Sequence, residues 1–332
     1  MKILIDAKQG LGDCVQLIPM LMIIRENYPN CHLALLVRDK TSSDLLSLSP
    51  VKIDKFYYLN SNDLKSLKII SLLKKLRNEK FDYFILSPIT NKCKAKVFAA
   101  FVNANNTIGE QYKSIDIYER DNSIHMVKRN IDLIKSFCKI PTGRVLPVID
   151  VEKYVGCNFV IEHNDRNLVG ICIGGGTASY YKGKKIYPRG WDIVKINQLI
   201  IELMRRNYKI FLFGGNDEIE LLNKLSVDLE SPNIYNFVGK TNIIETAYLA
   251  SKCKMVIGVD TGVQHIADAL GIKTISIFGP TNPYTHGAYS DKAIFVYTNV
   301  ECQFCYNTEK YLCCDNRRCM NLINVDNVMD KV

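Results

Sequence analysis

The clearest chemical signal in the sequence is Asp260-Thr261-Gly262, which follows an apolar run typical of a buried strand and precedes a helical pattern containing His265. A small residue and a glycine at a helix N-terminus let a phosphate approach the backbone N–H groups and the positive end of the helix dipole. This pattern favours a diphosphate ligand, and His265 is a candidate donor to a phosphate or a sugar. The alternative is structural: Asp260 and Thr261 cap the helix, and His265 packs against its neighbours.

A turn-rich segment, Phe278-Gly279-Pro280-Thr281-Asn282-Pro283, follows the next apolar run, at the carboxyl end of a strand where a ligand is expected. Taken alone, it indicates only a loop. Together, the patterns D-T-G-x-x-H-x-A-x-A-L-G and F-G-P-T-x-P resemble the signature of the heptosyltransferases of glycosyltransferase family 9. The resemblance extends over nearly the whole chain. It implies an α/β fold of the GT-B type, in which two Rossmann-like, doubly wound domains face each other across a cleft.

The resemblance also implies an activity, the inverting transfer of a sugar from a nucleotide diphosphate. ADP-heptose is the expected donor, and a lipopolysaccharide or lipooligosaccharide core is the expected acceptor. Gly12-Asp13 followed by Pro19 matches the family's G-D-x(5)-P segment, which makes Asp13 the expected catalytic base. An inverting transfer needs one carboxylate to take the proton of the acceptor hydroxyl. A helix N-terminus stabilises an ionised carboxylate and weakens it as a base, so helix capping is the structural alternative for Asp13.

Lys185 is expected at the donor phosphates because of the same resemblance. It stands just before Tyr187-Pro188, in the place of a basic residue that precedes a W-P or Y-P pair in the family. Its basic neighbours favour a solvated loop as the alternative, and they leave the choice of lysine open by one or two positions. These neighbours are Lys182, Lys184 and Arg189.

The segment Gly214-Gly215-Asn216-Asp217-Glu218 resembles the family's glycine turn, whose acidic residue binds the nucleotide ribose. A carboxylate is suited to accept from two vicinal hydroxyls. Glu218 is assigned this role, and Asp217 is assigned the helix cap. The expected donor-binding residues are therefore Lys185, Glu218, Asp260, Thr261, Gly262 and His265.

Metal-dependent sugar transferases usually hold a divalent cation with an Asp-x-Asp pair, and this sequence contains no such triplet. We therefore expect catalysis without a metal or another cofactor, with helix N-termini and Lys185 stabilising the developing charge. Five of the twelve cysteines cluster near the C-terminus. Their spacing allows a tetrahedral zinc site, but reduced structural thiols are the preferred interpretation, and the sequence leaves the choice open. These cysteines are Cys302, Cys305, Cys313, Cys314 and Cys319.

The N-terminal half alternates strand-like runs with amphipathic helical patterns, which predicts a parallel sheet. Apolar residues recur at helical spacing between Asp13 and Tyr28, so the first strand leads directly into a helix. The last helix of this half is predicted over Ser123–Phe137. The predicted strands are Lys2–Asp6, Leu33–Val37, Lys55–Tyr58 and Tyr83–Leu86.

A second strand–helix series predicts a second parallel sheet. Prolines and a glycine break the regularity between the two series and place the boundary within residues 141–167. We assign residues 1–150 to an acceptor-binding domain and 151–332 to a nucleotide-sugar-binding domain, whose last helix is a candidate to pack back on the N-terminal domain. The predicted strands are Leu168–Ile173, Lys209–Phe213, Ile234–Phe237, Met255–Val259 and Lys273–Ile277.

The formal net charge of +9 is concentrated in residues 1–150, which hold 23 Lys and Arg against 15 Asp and Glu. Such a field favours an anionic partner. The charge alone is consistent with phosphorylated lipid at a membrane surface or with nucleic acid, and a solubilising charged face is the alternative. Because of the family resemblance, we expect a phosphorylated, lipid-linked saccharide acceptor and peripheral association with an anionic membrane surface, and no nucleic acid. The candidate residues are Lys92, Lys94, Lys96, Lys113, Arg120, Lys128 and Arg129.

Apolar stretches such as Leu17–Ile24 are shorter than a membrane helix requires, and the N-terminus lacks a signal-peptide cleavage pattern. We therefore expect a cytoplasmic protein that binds at the inner face of the inner membrane.

Three other functions compete with this interpretation. Gly10-x-Gly12 after the first strand and Asp39 near the end of the second favour a nicotinamide-dependent oxidoreductase, but Val15 stands where the dinucleotide fingerprint has its third glycine. A GT-B enzyme that uses a UDP-sugar is the nearest alternative. A nonenzymatic sugar- or lipid-binding module is the third, and it predicts that Asp13 is dispensable.

Overall fold

The computed structural model describes residues 1–60, 68–88, 92–109, 123–154, 167–175, 179–181, 184–306, 308 and 310–332. The chain divides into two compact units, Met1–Asp150 and Val151–Val332, and each contains a parallel sheet of its own. The prediction of two doubly wound α/β domains is confirmed. The division lies at residue 150, where the sequence analysis placed it.

The N-terminal unit alternates strands with helices along the chain. Its strands are β1 (Lys2–Ala7), β2 (His32–Val37), β3 (Lys55–Tyr58), β4 (Tyr83–Ile85) and β5 (Asn106–Ile108). Its helices are α1 (Leu11–Asn27), α2 (Lys40–Ser47), α3 (Lys68–Asn78), α4 (Lys92–Val102) and α5 (Met126–Asp132). The strands form a five-stranded parallel sheet in the order β3-β2-β1-β4-β5. The strand order therefore reverses between β1 and β4, the topological switch point at which doubly wound sheets bind ligands.

The central strands β1 and β2 and helix α1 of this unit are mostly apolar and buried. In β1 and β2 five of six residues are buried, as expected for parallel strands covered by helices on both sides. Helix α5 is shorter than the predicted helix over Ser123–Phe137. It begins after His125, whose Nδ1 accepts from the Val127 N–H at 3.2 Å. From Leu133 to Phe137 the backbone hydrogen bonds run to carbonyls three residues back rather than four, so the chain continues in turns.

The C-terminal unit repeats this alternation around a longer sheet. Its strands are β6 (Leu168–Cys172), β7 (Ser179–Tyr181), β8 (Lys184–Ile186), β9 (Lys209–Phe213), β10 (Ile234–Asn236), β11 (Met255–Val259), β12 (Lys273–Ile277) and β13 (Ala293–Val296). Its helices are α6 (Ile193–Arg205), α7 (Ile219–Leu222), α8 (Ile243–Ser251), α9 (Gly262–Ala269), α10 (Pro283–His286), α11 (Lys310–Cys313), α12 (Arg318–Asn321) and α13 (Val325–Met329). The six-stranded sheet has the order β10-β9-β6-β11-β12-β13, while β7 and β8 pair separately in an antiparallel hairpin. Its order reverses between β6 and β11.

Amphipathic helices close the core of the C-terminal unit. Helix α6 buries Ile196, Leu199, Ile200 and Leu203, one face at helical spacing, and begins at Asp192, whose carboxylate accepts from the Val194 N–H at 2.9 Å. The buried side chains Val328 and Met329 of the last helix, α13, belong to the same apolar cluster as α6. Packing of this helix on the N-terminal domain stays a prediction.

The described helices include none with the length and apolar composition needed to span a membrane.

A cluster of charged side chains holds the amino ends of the strands in the N-terminal sheet. Glu79, which follows α3, accepts hydrogen bonds from the Lys55 ammonium and from the Tyr57 hydroxyl, the latter at 2.6 Å. The Lys2 ammonium lies 3.5 Å from the same carboxylate. The hydrogen bonds from Lys55 and Tyr57 lower the pKa of Glu79 to about 2. The carboxylate thereby joins the starts of β1 and β3.

Replacing Glu79 by Gln should lower the free energy of unfolding at pH 7 by about 1 kcal/mol, a modest value because the side chain is partly exposed. The folded-state pKa lies below the unfolded value of about 4.3, so the stabilisation is complete above that pH and is lost as the pH falls toward 2. Urea unfolding of wild type and Glu79→Gln between pH 7 and pH 3 measures this. Glu202→Gln, which alters an exposed pair with Arg205, is the control. A difference between wild type and Glu79→Gln that did not vary with pH would contradict the assignment.

Candidate functional site

Asp13 lies in the first turn of α1, just after β1. Its Oδ2 accepts from the Gly10 N–H at 3.1 Å, so the capping alternative raised by the sequence is realised. Asp13 also lines a pocket together with Ser87, which follows β4, and Asp6 of β1. The pocket therefore lies at the carboxyl ends of β1 and β4, where the strand order reverses. Asp13 therefore both caps α1 and lines the pocket.

The same pocket contains a charged pair that sequence reasoning missed. Asp6 is buried, and its Oδ1 lies 2.5 Å from the ammonium of Lys8. The ammonium lies 4.4 Å from the centroid of the Phe98 ring, from α4. The available signal was an acidic residue near the end of a strand whose other residues after Lys2 are apolar, because a buried charge needs a partner.

Asp260 lies at the end of β11, with 6% of its surface exposed. Its Oδ2 is 3.1 Å from Nη1 of Arg189, and its Oδ1 is 3.7 Å from Nε2 of His265. Burial alone raises the pKa of Asp260, but the nearby His265 and the charge of Arg189 outweigh burial, and the net pKa is well below its usual range. The group is therefore an ionised acceptor and not a proton donor near neutral pH.

Helix α9 begins at Gly262, directly after Asp260-Thr261. Thr261 occupies the N-cap position, but its side chain makes no capping hydrogen bond. The first N–H groups of a helix have no partners within the helix, so a ligand or solvent must satisfy those that no side chain caps. Capping by Thr261, the structural alternative for this motif, is not realised, and the start of α9 is suited to an anion.

Glu218 lies in a single 3-10 turn, Asn216–Glu218, after β9. Its Oε2 accepts from the Gly215 N–H at 2.6 Å, so Glu218 itself makes the capping bond, and the assignment of the cap to Asp217 is wrong. The carboxylate is buried against Gly174, after β6, where any Cβ atom would collide with it. Glycine at 174 thus leaves the space that brings Glu218 to the carboxyl ends of β9 and β6.

Lys185 lies in β8, paired with Tyr180 of β7. Its side chain is outside the part of the chain that the structure describes, so its role at the donor phosphates stays a prediction. The cation beside Asp260 is Arg189, which the sequence analysis named only as one of the basic neighbours that favour a solvated loop as the alternative for Lys185. That alternative does not describe Arg189, whose side chain is only 29% exposed. The spacing of the basic residues in the sequence does not distinguish Arg189 from the nearby lysines. Its contact with Asp260 depends on where its loop crosses the sheet.

The candidate basic surface of the N-terminal half needs one correction. Arg129 is buried, and its Nη1 lies 3.3 Å from Sδ of Met126, so it is not available to a membrane. Lys96 and Lys128 are exposed. The other four candidates fall outside the described residues or side chains: Lys92, Lys94, Lys113 and Arg120.

The five C-terminal cysteines carry free thiols. Burial raises the pKa of Cys305, and so do the neighbouring thiols Cys314 and Cys302, which therefore lie near it. The Sγ of Cys314 accepts from the Arg317 N–H at 3.4 Å. Within the described ranges no three His, Cys, Asp or Glu side chains converge closely enough to hold a metal ion.

Both units are similar to known proteins. The sequence profile of glycosyltransferase family 9 (heptosyltransferase) matches residues 69–314. Lipopolysaccharide heptosyltransferase 3 of Escherichia coli is 24% identical over 282 residues, which cover 82% of this chain and 81% of that protein.

Two solved structures share the fold. One is the E. coli ADP-heptose lipopolysaccharide heptosyltransferase II, with a TM-score of 0.76 and 20% identity, covering 100% of this chain and 97% of the other. The second is an E. coli heptosyltransferase with ADP-2-deoxy-2-fluoro heptose, with a TM-score of 0.68 and 18% identity, covering 93% and 96%. Both likenesses extend over the two units.

Proposed function

This chain belongs to glycosyltransferase family 9, the heptosyltransferases of lipopolysaccharide and lipooligosaccharide core biosynthesis, and we propose that it transfers heptose from ADP-heptose to such a core. The transfer inverts the anomeric carbon and uses no metal. The observation that carries the proposal is the set of groups at the carboxyl edge of the C-terminal sheet. A buried acceptor, Asp260, and a helix start that Thr261 does not cap both follow β11, and a cation, Arg189, reaches Asp260 from the loop that crosses the end of β6. A solved relative of the same fold holds an ADP-heptose analogue.

The proposed donor contacts follow from these groups. Glu218, at the end of β9, accepts from the ribose hydroxyls. The start of α9, with Thr261 and Gly262, receives the diphosphate through backbone N–H groups. Asp260 accepts from hydroxyls of the sugar, since it stays ionised beside Arg189. We also assign Lys185 and His265 to the phosphate and sugar end of the donor.

Asp13 is the proposed catalytic base. The acceptor hydroxyl oxygen bonds to C1 of the donor sugar as its proton passes to the Asp13 carboxylate, and the bond from C1 to the diphosphate oxygen breaks. ADP leaves with the electron pair, and the single displacement inverts C1. The place of Asp13 in a pocket at the switch point of the N-terminal sheet supports this role. Its hydrogen bond with Gly10 fixes the carboxylate in position.

Two features support leaving-group stabilisation without a metal ion. The sequence lacks the Asp-x-Asp pair that commonly holds a divalent cation. A fixed cation, Arg189, and the start of α9 lie together at the donor edge, where oriented charges and dipoles stabilise developing negative charge.

We place the enzyme at the cytoplasmic face of the inner membrane, bound peripherally to anionic lipid and to a phosphorylated, lipid-linked acceptor. The charge excess of residues 1–150 and the exposed lysines Lys96 and Lys128 support this placement. Each basic residue near an anionic surface contributes about 1 kcal/mol, and the attraction fades beyond about 10 Å.

A donor panel tests the proposed reaction. Purified enzyme and a heptose-deficient core acceptor are incubated with ADP-heptose, UDP-glucose or GDP-mannose, with and without EDTA, and the release of nucleoside diphosphate is measured. We expect turnover with ADP-heptose alone and the same rate in EDTA. Faster turnover with a UDP- or GDP-sugar would reassign the donor. Activity that appeared only on addition of Mg²⁺ or Mn²⁺ would contradict the metal-independent mechanism.

Two amide substitutions separate the base from the donor site. Asp13→Asn retains an oxygen that accepts from Gly10, so the helix cap survives, while the base is lost; we expect kcat to fall by about 100-fold or more with ADP affinity nearly unchanged. Asp260→Asn should weaken ADP-heptose binding as well as turnover, because it removes the charge that holds Arg189. Steady-state kinetics and calorimetry of both variants measure this contrast. Near-normal turnover of Asp13→Asn would refute its role as the base.

A further inference from the structure

Arg189 is the cation at the centre of the carboxyl edge of the C-terminal sheet. It lies in the loop between β8 and α6, and this loop crosses the end of β6. A Cβ atom at Gly175, just after β6, would lie 2.8 Å from the backbone nitrogen of Gly190 and 3.1 Å from the carbonyl carbon of Arg189. The arginine side chain reaches Asp260 at the end of β11. Arg189 therefore bridges the two strands between which the strand order reverses.

The loop that carries Arg189 is held in place by hydrogen bonds on several sides. The Tyr187 hydroxyl donates to the backbone oxygen of Asp217 at 2.9 Å. Nη1 of Arg317 donates to the backbone oxygen of Tyr187 at 3.0 Å. The buried Trp191 donates through Nε1 to the backbone of Ile323 at 3.1 Å. A cation on a loop fixed in this way loses less conformational entropy when it binds a ligand.

The guanidinium of Arg189 has unused donors. It carries five N–H groups. Its Nη1 donates to Asp260 at 3.1 Å, and no other hydrogen bond joins the side chain to a described residue. The side chain is 29% exposed, so the remaining donors reach solvent at the edge of the sheet. A guanidinium fork matches two oxygens of a phosphate, which suits these donors to an anionic ligand.

The charge of Arg189 also offsets an electrostatic repulsion at this edge. An ionised Asp260 directly before α9 repels an anion that approaches the helix start. Pairing with Arg189 offsets that repulsion, while the second carboxylate oxygen faces His265 at 3.7 Å. The pair thus places a hydroxyl acceptor and an anion-binding cation side by side, the combination that a sugar diphosphate requires.

We propose that Arg189 is a donor-binding residue that bonds to the diphosphate of the nucleotide sugar through the guanidinium N–H groups that Asp260 leaves unused. Asp260 is its positioning residue. The inference rests on the proposed function and extends it, since the phosphate contact expected of Lys185 is shared by a residue that no sequence pattern marked. If Arg189 makes this contact, the higher affinity for a nucleoside diphosphate than for the corresponding nucleoside depends on Arg189, and this holds for any base.

Calorimetric titration of the full-length protein tests this dependence. ADP, UDP and GDP, and the corresponding nucleosides, are titrated into wild type, Arg189→Met and Arg189→Lys. We expect Arg189→Met to weaken diphosphate binding about 10- to 100-fold while nucleoside binding stays within about twofold. Arg189→Lys keeps the charge but loses the fork, so its loss should be smaller, about threefold to tenfold. Arg205→Met, which removes an exposed arginine of α6 paired with Glu202, is the matched control and should change neither.

The outcomes separate this inference from the proposed donor. Equal losses for nucleosides and diphosphates in Arg189→Met would show that Arg189 only supports the fold, and unchanged diphosphate binding would also overturn the inference. Should Arg189→Met unfold, as thermal melting reveals, Arg189→Lys decides, because unchanged diphosphate affinity in that variant rejects the contact. A wild-type preference for UDP or GDP, with the same dependence on Arg189, would reject ADP-heptose as donor and leave the phosphate contact standing.

Discussion

A parallel sheet gathers the carboxyl ends of its strands on one edge, and the positions of Asp13, Asp260, Arg189 and Glu218 depend on that constraint. Where the strand order reverses, the loops that leave the two adjacent strands diverge, and an opening forms that side chains from distant parts of the chain share. Asp13 lies at this position in the N-terminal sheet, beside β1 and β4. Asp260 and Arg189 lie at the same position in the C-terminal sheet, at the ends of β11 and β6.

Buried charge is expensive unless it is paired, and the two sites meet this requirement differently. In the N-terminal unit, the buried Asp6 is paired with Lys8, and Asp13 makes its cap bond with Gly10. In the C-terminal unit, Asp260 is held between Arg189 and His265. These contacts fix the positions of the carboxylate oxygens before any substrate is bound, which is the condition for electrostatic preorganisation.

The central strands were predictable because strands buried on both faces of a parallel sheet appear in the sequence as short, nearly continuous apolar runs. Lys55–Tyr58, Lys209–Phe213 and Met255–Val259 were predicted with the bounds that the structure has. The short edge strand β5 and the β7–β8 hairpin carry too few apolar residues to give a pattern. The edge strand β13 is a run of only four apolar residues, too short to distinguish a strand from a piece of another element. The length of α5 was overestimated because apolar residues continue at helical spacing beyond Asp132, where the chain turns instead.

The candidate site was predictable where a motif fixes local backbone, as at Asp260-Thr261-Gly262 and at Glu218. Contacts that depend on how distant loops cross the sheet were not predictable. Arg189 and Arg129 both stand near lysines in the sequence. Arg189 lies beside Asp260, whereas Arg129 is buried in the N-terminal unit. Asp217 and Glu218 are adjacent acids, and only the space left by Gly174 determines that Glu218 is the one turned toward β6.

The central claim is that the donor nucleotide binds at the switch point of the C-terminal sheet. A crystal structure of the full-length protein with ADP tests it most directly. The account predicts electron density for the diphosphate within hydrogen-bond distance of the first N–H groups of α9 and of the Arg189 guanidinium, with the ribose on Glu218. A diphosphate bound instead at the carboxyl edge of the N-terminal sheet, beside Asp13, would contradict the account.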